Sequence, residues 1–327
     1  MRERPDMDGR ERTRRAIRFE SPDRTPLWMF NRDQPEGDVL IYGYGLNRED
    51  GTAGEWGFTW RNLGDGTMGQ PEEPVIATWD DLATFRFPSR RAEERLAHAA
   101  EFQERAQGYY RLGAVGITGF NNYTFLRGFE NALVDFLAEP ERAFALFDRM
   151  LDWEGEMIDI AAEAGLDGFH FCDDWGMQEG LVIAPSLWRE LFKPRYGRLV
   201  ERAHRHGLDV WFHSCGDISD IVRDFHEIGV DVINISQPNV VDLEPIAADL
   251  AGKQCFMVPI SYQTVSISGT PEDIQREADR LRRLFERPEG GFIAYVEEYS
   301  CMGMSEENYQ ACKRAFRSPG PLAPARS

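Results

Sequence analysis

The chain has 327 residues, 42% hydrophobic and 12% aromatic, which is enough apolar material for one large core. Its formal net charge of −19 argues against a nucleic-acid partner, because affinity for phosphate backbones comes mainly from lysine and arginine. No apolar run approaches the roughly 20 residues that span a bilayer, and residues 1–5 lack the apolar stretch of a secretory signal. We therefore expect a cytoplasmic protein without nucleic-acid or membrane partners, whose five cysteines are free thiols or metal ligands rather than disulfides.

The N-terminal part of the chain alternates between short regular elements and irregular segments. Residues 9–19 follow a helical pattern, and the apolar residues 26–30 predict a first strand. The stretch 37–74 shows no strong helical period. Within it, the aromatic-rich residues 56–61 and 67–70 flank a Gly-Asp-Gly turn, and this pattern predicts an N-terminal hairpin excursion.

Strands and helices alternate through the rest of the chain. Apolar runs predict six more strands, at 112–118, 168–172, the beginning of 210–217, 231–236, 254–259 and 291–296. Helical patterns occupy 90–107, 140–165, 185–206, 271–286 and 305–316. Pro194 is expected to kink the third of these helices, and Thr270 with Asp273 is expected to cap the fourth.

Continuous apolar strands separated by helices imply a parallel sheet that is covered on both faces. The best fit is a (β/α)8 TIM barrel, with the eighth strand hidden in the hairpin region and a doubly wound open sheet as the alternative. We expect one domain over 1–317 and a loose tail over 318–327. The chain has no Gly-x-Gly-x-x-Gly motif after a strand and no Walker A motif, which weakens a dinucleotide or ATP interpretation.

Polar residues recur where the predicted strands end, which is where barrels carry their active sites. We predict that Asn31, Asn121 and Gln237 contact a substrate, and that Asp173 or Asp174 orients it or moves a proton. The structural alternative for these acids is a helix cap or a satisfied turn.

The segment Val210-Trp211-Phe212-His213-Ser214-Cys215-Gly216-Asp217 reads as a strand that runs into a His-x-Cys-Gly turn. His213 and Cys215 project to one side, because side chains two apart on a strand do so. An imidazole and a thiolate placed together are half of a zinc site, although a buried cysteine and a hydrogen-bonded histidine would give the same pattern. The third ligand is predicted to be Cys301, with Glu298 as its rival, because both follow the last strand.

The chain resembles the uroporphyrinogen decarboxylase superfamily along nearly its whole length. The matching stretches run from Glu11-Arg12 to Ser21-Pro22-Asp23-Arg24-Thr25-Pro26, and then include Cys172-Asp173-Asp174-Trp175-Gly176, Leu187-Trp188-Arg189-Glu190, Lys193-Pro194-Arg195-Tyr196, His213-Ser214-Cys215-Gly216, Gly290-Gly291-Phe292-Ile293-Ala294 and Glu307-Asn308. This resemblance implies a (β/α)8 barrel.

The resemblance also separates two activities. True decarboxylases hold tetrapyrrole propionates with an Arg-Gln-Ala-Gly-Arg-Tyr segment, where this chain reads Phe30-Asn31-Arg32-Asp33-Gln34-Pro35, and their Gly-His-Gly near the C-terminus is missing as well. The other branch contains zinc methyltransferases that work with corrinoid proteins, such as methylcobamide:coenzyme M methyltransferase, and His213 and Cys215 match its ligands. The third family cysteine falls nearer Glu298 than Cys301.

The resemblance therefore implies a zinc-dependent methyltransferase that moves a methyl group between the corrinoid (cobalamin) of a partner protein and a small thiol, ether or amine. The alternatives are a uroporphyrinogen decarboxylase of porphyrin biosynthesis, and a corrinoid- or porphyrin-binding protein without catalysis.

Overall fold

The computed structural model describes residues 7–46, 54–61 and 69–318. The turn of the predicted hairpin and nearly all of the predicted tail therefore lie outside the described residues. No helix in the described ranges is long and apolar enough to cross a membrane.

Eight parallel strands form the centre of the molecule. They are β1 Leu27–Phe30, β2 Val39–Gly43, β3 Tyr110–Ala114, β4 Gly168–Cys172, β5 Asp209–Ser214, β6 Val232–Ile235, β7 Cys255–Pro259 and β8 Phe292–Glu297. Each strand from β2 to β7 pairs in parallel with the next strand of the chain, and β8 pairs in parallel with β1, in the order β1-β8-β7-β6-β5-β4-β3-β2. The order never reverses, so the fold is the predicted (β/α)8 barrel and not a doubly wound sheet.

The eighth strand is β2, at the beginning of the stretch that shows no helical period. It pairs with β3 from Val39 opposite Tyr110 to Gly43 opposite Ala114. The connection from β1 to β2 holds only the 3₁₀ turn Gln34–Glu36. A prediction based on alternating strands and helices misses a strand that follows another strand without an intervening helix.

Asp38 joins β1 to β2 at the N-terminal end of the barrel. Its N–H donates to the carbonyl of Leu27 at 2.7 Å, and its carboxylate accepts the Leu27 N–H at 2.8 Å. The guanidinium groups of Arg12 and Arg24 bind the same carboxylate, at 2.5 Å and 2.8 Å. Arg12 also binds Asp23. The segment 11–26, which contains Arg12, Asp23 and Arg24, therefore holds β1 and β2 together at the N-terminal end of the barrel, away from its mouth.

Twelve α-helices are described around the barrel. They are α1 Gly9–Arg18, α2 Ala92–Arg95, α3 Ala99–Arg105, α4 Gly119–Arg127, α5 Phe129–Ala138, α6 Pro140–Glu163, α7 Pro185–Leu191, α8 Lys193–Arg205, α9 Val222–Glu227, α10 Leu243–Leu250, α11 Pro271–Phe285 and α12 Glu306–Arg317. The expected kink is the break between α7 and α8 at Phe192, two residues before Pro194. Thr270 and Asp273 form the expected capping box of α11.

The barrel interior is filled by inward-facing side chains of alternate strand positions and by Ile17 of α1. This interior cluster comprises Ile17, Trp28, Val39, Tyr110, Leu112, Trp211, Val232, Cys255, Met257, Ile293 and Tyr295. A larger apolar layer lies between the strands and the helices. Because the interior is packed, only the C-terminal rim of the strands has space for chemistry.

The arms of the hairpin excursion pair as two-residue antiparallel strands, Trp60–Arg61 and Gln70–Pro71. Phe58 and Trp60 each contact the ring of Phe125 in α4, with ring centroids 5.3 Å apart. The excursion therefore packs on the helix that follows β3.

Candidate metal centre

His213 and Cys215 lie on one side of the end of β5, as the two-residue period predicts. The Nε2 atom of His213 is 3.6 Å from the Sγ atom of Cys215. Trp211, two residues earlier, is fully buried in the barrel interior. The alternation along β5 therefore carries the imidazole to the rim, and Cys215 follows just beyond it.

Asp174 brings a carboxylate to the same point from the end of β4. Its Oδ1 atom is 3.6 Å from Nε2 of His213 and accepts the backbone N–H of Cys215 at 2.7 Å. Its Oδ2 atom accepts the Asn121 side-chain amide at 3.2 Å. One donor atom each from Asp174, His213 and Cys215 can be chosen so that all three lie within 4.8 Å of one another.

The orientation of the His213 ring is held by β6. Nδ1 of His213 is 2.6 Å from Oδ1 of Asn234, and Nδ2 of Asn234 donates to the Met257 carbonyl at 2.9 Å. Because the amide nitrogen of Asn234 is used in this way, its oxygen accepts a hydrogen bond from the Nδ1–H of His213. The lone pair or proton of Nε2 is then directed towards Cys215 and Asp174.

This point stabilises positive charge. Burial lowers the pKa of His213, but the Cys215 thiolate and the Asp174 carboxylate raise it more, and the pKa of the imidazole rises to about 10. An electrostatic environment that holds a proton so firmly also favours a metal cation in the same place.

The donor set and its spacing fit zinc. Imidazole nitrogen, thiolate sulfur and carboxylate oxygen are the three kinds of zinc ligand in proteins. With Zn–N of about 2.0 Å and Zn–S of about 2.3 Å, a tetrahedral angle separates the two ligand atoms by about 3.5 Å. The observed separation of the His213 and Cys215 atoms is 3.6 Å. A three-residue site would leave one tetrahedral position for a substrate.

The turn after β5 explains the glycine of the His-x-Cys-Gly motif. Gly216 has φ 75°, and a β-carbon there would lie 2.1 Å from the backbone carbon of Gly176. The two loops therefore touch through their backbones. Gln237, predicted to contact a substrate, accepts the Gly216 N–H at 2.7 Å and donates to the Tyr262 hydroxyl at 2.6 Å. It holds the turn that carries Cys215.

Asp173 faces away from Asp174 and is completely buried. Its carboxylate accepts the N–H groups of Phe120 and Asn121 at the start of α4, at 3.2 and 2.8 Å, and the indole N–H of Trp175 at 3.1 Å. The Tyr196 hydroxyl donates to it as well. Burial raises its pKa to about 7 although these donors lower it. Asp173 thus anchors α4, and its neighbour Asp174 faces the mouth.

The other predicted site residues lie apart from this cluster. Cys301 is exposed in the 3₁₀ turn Ser300–Met302, and Glu298 accepts the Ser300 N–H at 2.8 Å. Asn31 is exposed after β1, with a left-handed φ of 65°. In the described ranges, the only group of three or more potential metal ligands is the one formed by Asp174, His213 and Cys215.

Glu297, the last residue of β8 and the neighbour of the predicted ligand Glu298, faces the mouth. The hydroxyls of Tyr295 and Tyr299 both donate to Oε2 of Glu297 at 2.7 Å. Tyr295 belongs to the barrel interior, and Glu297 follows it by two positions, so both side chains point to the same side of β8.

His170 lies inside the barrel, below Asp174, His213 and Cys215, which we call the metal-ligand cluster. Its ring centroid is 6.1 Å from that of His213 and 5.7 Å from that of Trp28. Burial, with the nearby His213 charge, lowers its pKa to about 3, so this imidazole is neutral. Its Nε2 atom is buried and has no hydrogen-bond partner within the described residues.

Several solved structures are similar to this chain, and one of them superposes with a TM-score above 0.5. A methyltransferase from Methanosarcina mazei superposes with a TM-score of 0.63 at 13% identity, over 95% of this chain and 98% of that chain. A B12-independent methionine synthase from Shewanella sp. W3-18-1 gives 0.43 at 11% identity, over 68% and 64% of the two chains. An endo-beta-1,4-xylanase from Gloeophyllum trabeum gives 0.40 at 9% identity, over 67% and 80%. At these identities the likeness concerns the fold alone.

None of the curated protein sequences matches the chain. A family model described as uroporphyrinogen decarboxylase (URO-D) does match, over residues 62–318, which is most of its length. The matched range contains the strands β3 to β8 and the His-x-Cys-Gly turn at the rim of the barrel. The chain therefore belongs to the uroporphyrinogen decarboxylase family, as its motifs predict.

Proposed function

We propose that this protein is a zinc-dependent methyltransferase that moves a methyl group between the corrinoid of a partner protein and a small thiol, ether or amine. The observation that carries the proposal is the meeting of Asp174, His213 and Cys215 at the barrel rim. Membership in the family and the likeness in fold to the methyltransferase from Methanosarcina mazei support it.

The proposed ligands are Nε2 of His213, Sγ of Cys215 and a carboxylate oxygen of Asp174. In this proposal Asp174 is the third ligand, the role predicted from the sequence for Cys301 or Glu298. When bound, zinc would act as a Lewis acid that lowers the pKa of a substrate thiol or hydroxyl.

The surrounding residues position these ligands. Asn234 fixes the tautomer and ring plane of His213, and such partners of metal-bound histidines tune both ligand geometry and metal affinity. Asn121 holds one carboxylate oxygen of Asp174. Gln237 holds the turn that carries Cys215, and Asp173 secures α4 behind Asn121. In this proposal Asp173 is a positioning residue.

The decarboxylase alternative lacks support at the rim. A tetrapyrrole with several carboxylates requires cationic partners. Arg32, the one arginine at the end of β1, binds Glu306 at 2.6 and 3.0 Å and lies over the Tyr309 ring. Within the described residues, no lysine or arginine forms an ion pair with Asp174 or Glu297. Coproporphyrinogen formation from uroporphyrinogen is the assay that would favour this alternative.

Metal analysis tests the proposal directly. Native protein purified without chelators should hold about one zinc per chain, and Cys215→Ser and Asp174→Asn should hold much less. Cys301→Ser and Glu298→Gln are the matched controls and should retain the metal. The zinc protein should also transfer methyl from methylcobalamin to a thiol. Native protein without zinc, or Cys215→Ser with full zinc, would overturn the metal mechanism.

A further inference from the structure

A second acid lies at the mouth, outside the metal-ligand cluster. Glu297 ends β8 and accepts two phenol protons on Oε2, from Tyr295 and Tyr299. Among the described residues nothing donates to its Oε1 atom, and the side chain is only partly buried. One carboxylate oxygen of Glu297 is therefore available to a ligand.

Glu297 and the metal-ligand cluster face the same space. A chain of ring contacts links them across the barrel: the His170 ring is 6.1 Å from that of His213 and 5.7 Å from that of Trp28. The Trp28 ring is 5.4 Å from that of Tyr295, whose hydroxyl donates to Glu297. Glu297 and the cluster therefore lie above the same interior side chains, at the same end of the barrel.

Two tyrosine rings connect Glu297 to the metal-ligand cluster. The rings of Tyr262 and Tyr299 are 4.7 Å apart with an interplanar angle of 31°. Tyr299 donates to Glu297, and the Tyr262 hydroxyl accepts from Gln237, which holds the Cys215 turn. Aromatic faces beside a carboxylate are a favourable setting for an organic cation.

The floor of the same space offers an unused polar atom. His170 is 8% exposed, faces the ring of His213, and its Nε2 atom has no partner within the described residues. Buried polar atoms are nearly always hydrogen-bonded in the working protein. This atom therefore indicates that a polar ligand or a water bound to one completes the site.

The balance of charge sets the sign of that ligand. With a divalent ion in place, the Cys215 thiolate and the carboxylates of Asp174 and Glu297 leave one negative charge uncompensated. No lysine or arginine of the described ranges pairs with either carboxylate. An anionic substrate would meet repulsion here, and a cation would meet attraction.

We propose that the substrate carries an ammonium group that Glu297 binds, together with the thiol, hydroxyl or amine that reaches the metal. The inference rests on the proposed function and narrows its substrate class to small aminothiols, amino alcohols and polyfunctional amines. A sulfonate or a polycarboxylate is excluded by the same charge balance.

Three two-carbon thiols that differ in charge test the inference. Calorimetric titration of the zinc protein with 2-aminoethanethiol, 2-mercaptoethanol and 2-mercaptoethanesulfonate should give affinity in that order. Glu297→Gln should reduce the preference for the amine over the sulfonate by about tenfold, since hydrogen bonds to a charged group have this magnitude. Comparing the ratio between variants removes the different acidities of the thiols.

Two further variants control for structure. Glu298→Gln changes the neighbouring acid, which faces Ser300 and should keep the native preference. Glu297→Asp keeps the negative charge and should retain most of the preference for the amine over the sulfonate. This variant separates the loss of charge from misfolding. Equal or tighter binding of the sulfonate, or an unchanged preference in Glu297→Gln, would overturn the inference.

The failure of this inference differs from the failure of the proposed function. If the protein holds zinc but prefers the sulfonate, the metal mechanism stands and the role of Glu297 falls. If it holds no zinc, ethylammonium and ethanesulfonate, which lack the thiol, repeat the comparison without the metal. A preference for ethylammonium that depends on Glu297 would then support the cation site alone, and its absence would refute it.

Discussion

Nδ1 of His213 lies 2.6 Å from Oδ1 of Asn234 on the neighbouring strand, and this contact decides which ring nitrogen faces Cys215. The two residues are directly opposite each other in the pairing of β5 with β6. Asn234 is itself fixed by its bond to the Met257 carbonyl on β7. Three adjacent strands therefore cooperate to aim one imidazole nitrogen.

Replacing Asn234 with alanine should weaken zinc binding about 10–100-fold, as is typical when the partner of a metal-bound histidine is lost. The ring of His213 would lose its fixed tautomer, and the ligand geometry would loosen. Competition with a chromophoric chelator measures the change. Asn239→Ala, at an exposed position after the same strand, should bind zinc as the native protein does. Equal affinities in both variants would contradict the assigned role of Asn234.

Asp38→Asn should destabilise the barrel by about 3–5 kcal/mol, because it leaves the buried guanidinium of Arg12 with one of its two carboxylates. Asp38 is 2% exposed and joins β1 to β2. Chemical denaturation measures the loss. Arg15→Ala removes an exposed pair with Glu11 and should change the free energy of unfolding by at most about 1 kcal/mol. A similar effect of both changes would show that Asp38 does not close the barrel.

Glu154 should make stability depend on pH. Burial raises the pKa of Glu154 to about 8, although the hydrogen bond from the Gly119 N–H lowers it. The pKa of a glutamate in the unfolded chain is about 4.3. Between these values the folded protein binds more protons than the unfolded chain. The free energy of unfolding should therefore fall as pH rises from about 4.3 to about 8. The nearby Asp173, whose pKa burial also raises, acts in the same direction.

Glu154→Gln should remove the larger part of that fall and be more stable than the native protein at pH 8, by about 2–5 kcal/mol. The Gln side chain can still accept the Gly119 N–H. Denaturation at pH 5, 6.5 and 8 measures both curves. Glu156→Gln, on the same helix but partly exposed and paired with Arg90, should follow the native curve. Parallel curves for native protein and Glu154→Gln would mean that Glu154 is charged in the fold.

Gly216→Ala should disrupt the turn that carries Cys215, because the new β-carbon would overlap the backbone of Gly176. We expect a loss of more than about 3 kcal/mol in the free energy of unfolding, together with lowered zinc content. Gly207 has a similar φ of 73° but no atom within 4 Å of its β-carbon position. Gly207→Ala should therefore cost only about 1 kcal/mol and keep the metal. Equal losses would show that backbone strain alone, and not the contact, explains the glycine.

Seven of the eight strands could be predicted from the sequence, because strands buried on both faces are continuous apolar runs between turns. The pairing of His213 with Cys215 also follows from local geometry, since a two-residue spacing on a strand keeps side chains on one side. β2, Val39–Gly43, was not predicted because no helix separates it from β1. Its place depends on contacts with β3, where its first residue Val39 pairs with Tyr110, 71 residues further along the chain.

Which acid of an adjacent pair faces the mouth was decided only by the tertiary structure. Asp173 and Asp174 are chemically identical, and so are Glu297 and Glu298. Asp173 is hydrogen-bonded to the N-terminus of α4 and to Tyr196, so Asp174 is the acid of this pair that faces the mouth. Tyr295 points into the barrel interior and donates to Glu297, so Glu297 is the acid of the second pair that faces the mouth. The sequence by itself determined the barrel, the family and the imidazole–thiolate pair, because strand period and burial are local properties. The place of the third member of the cluster, the Asp174 carboxylate, required the packed barrel, because its neighbours come from elements far apart in the chain.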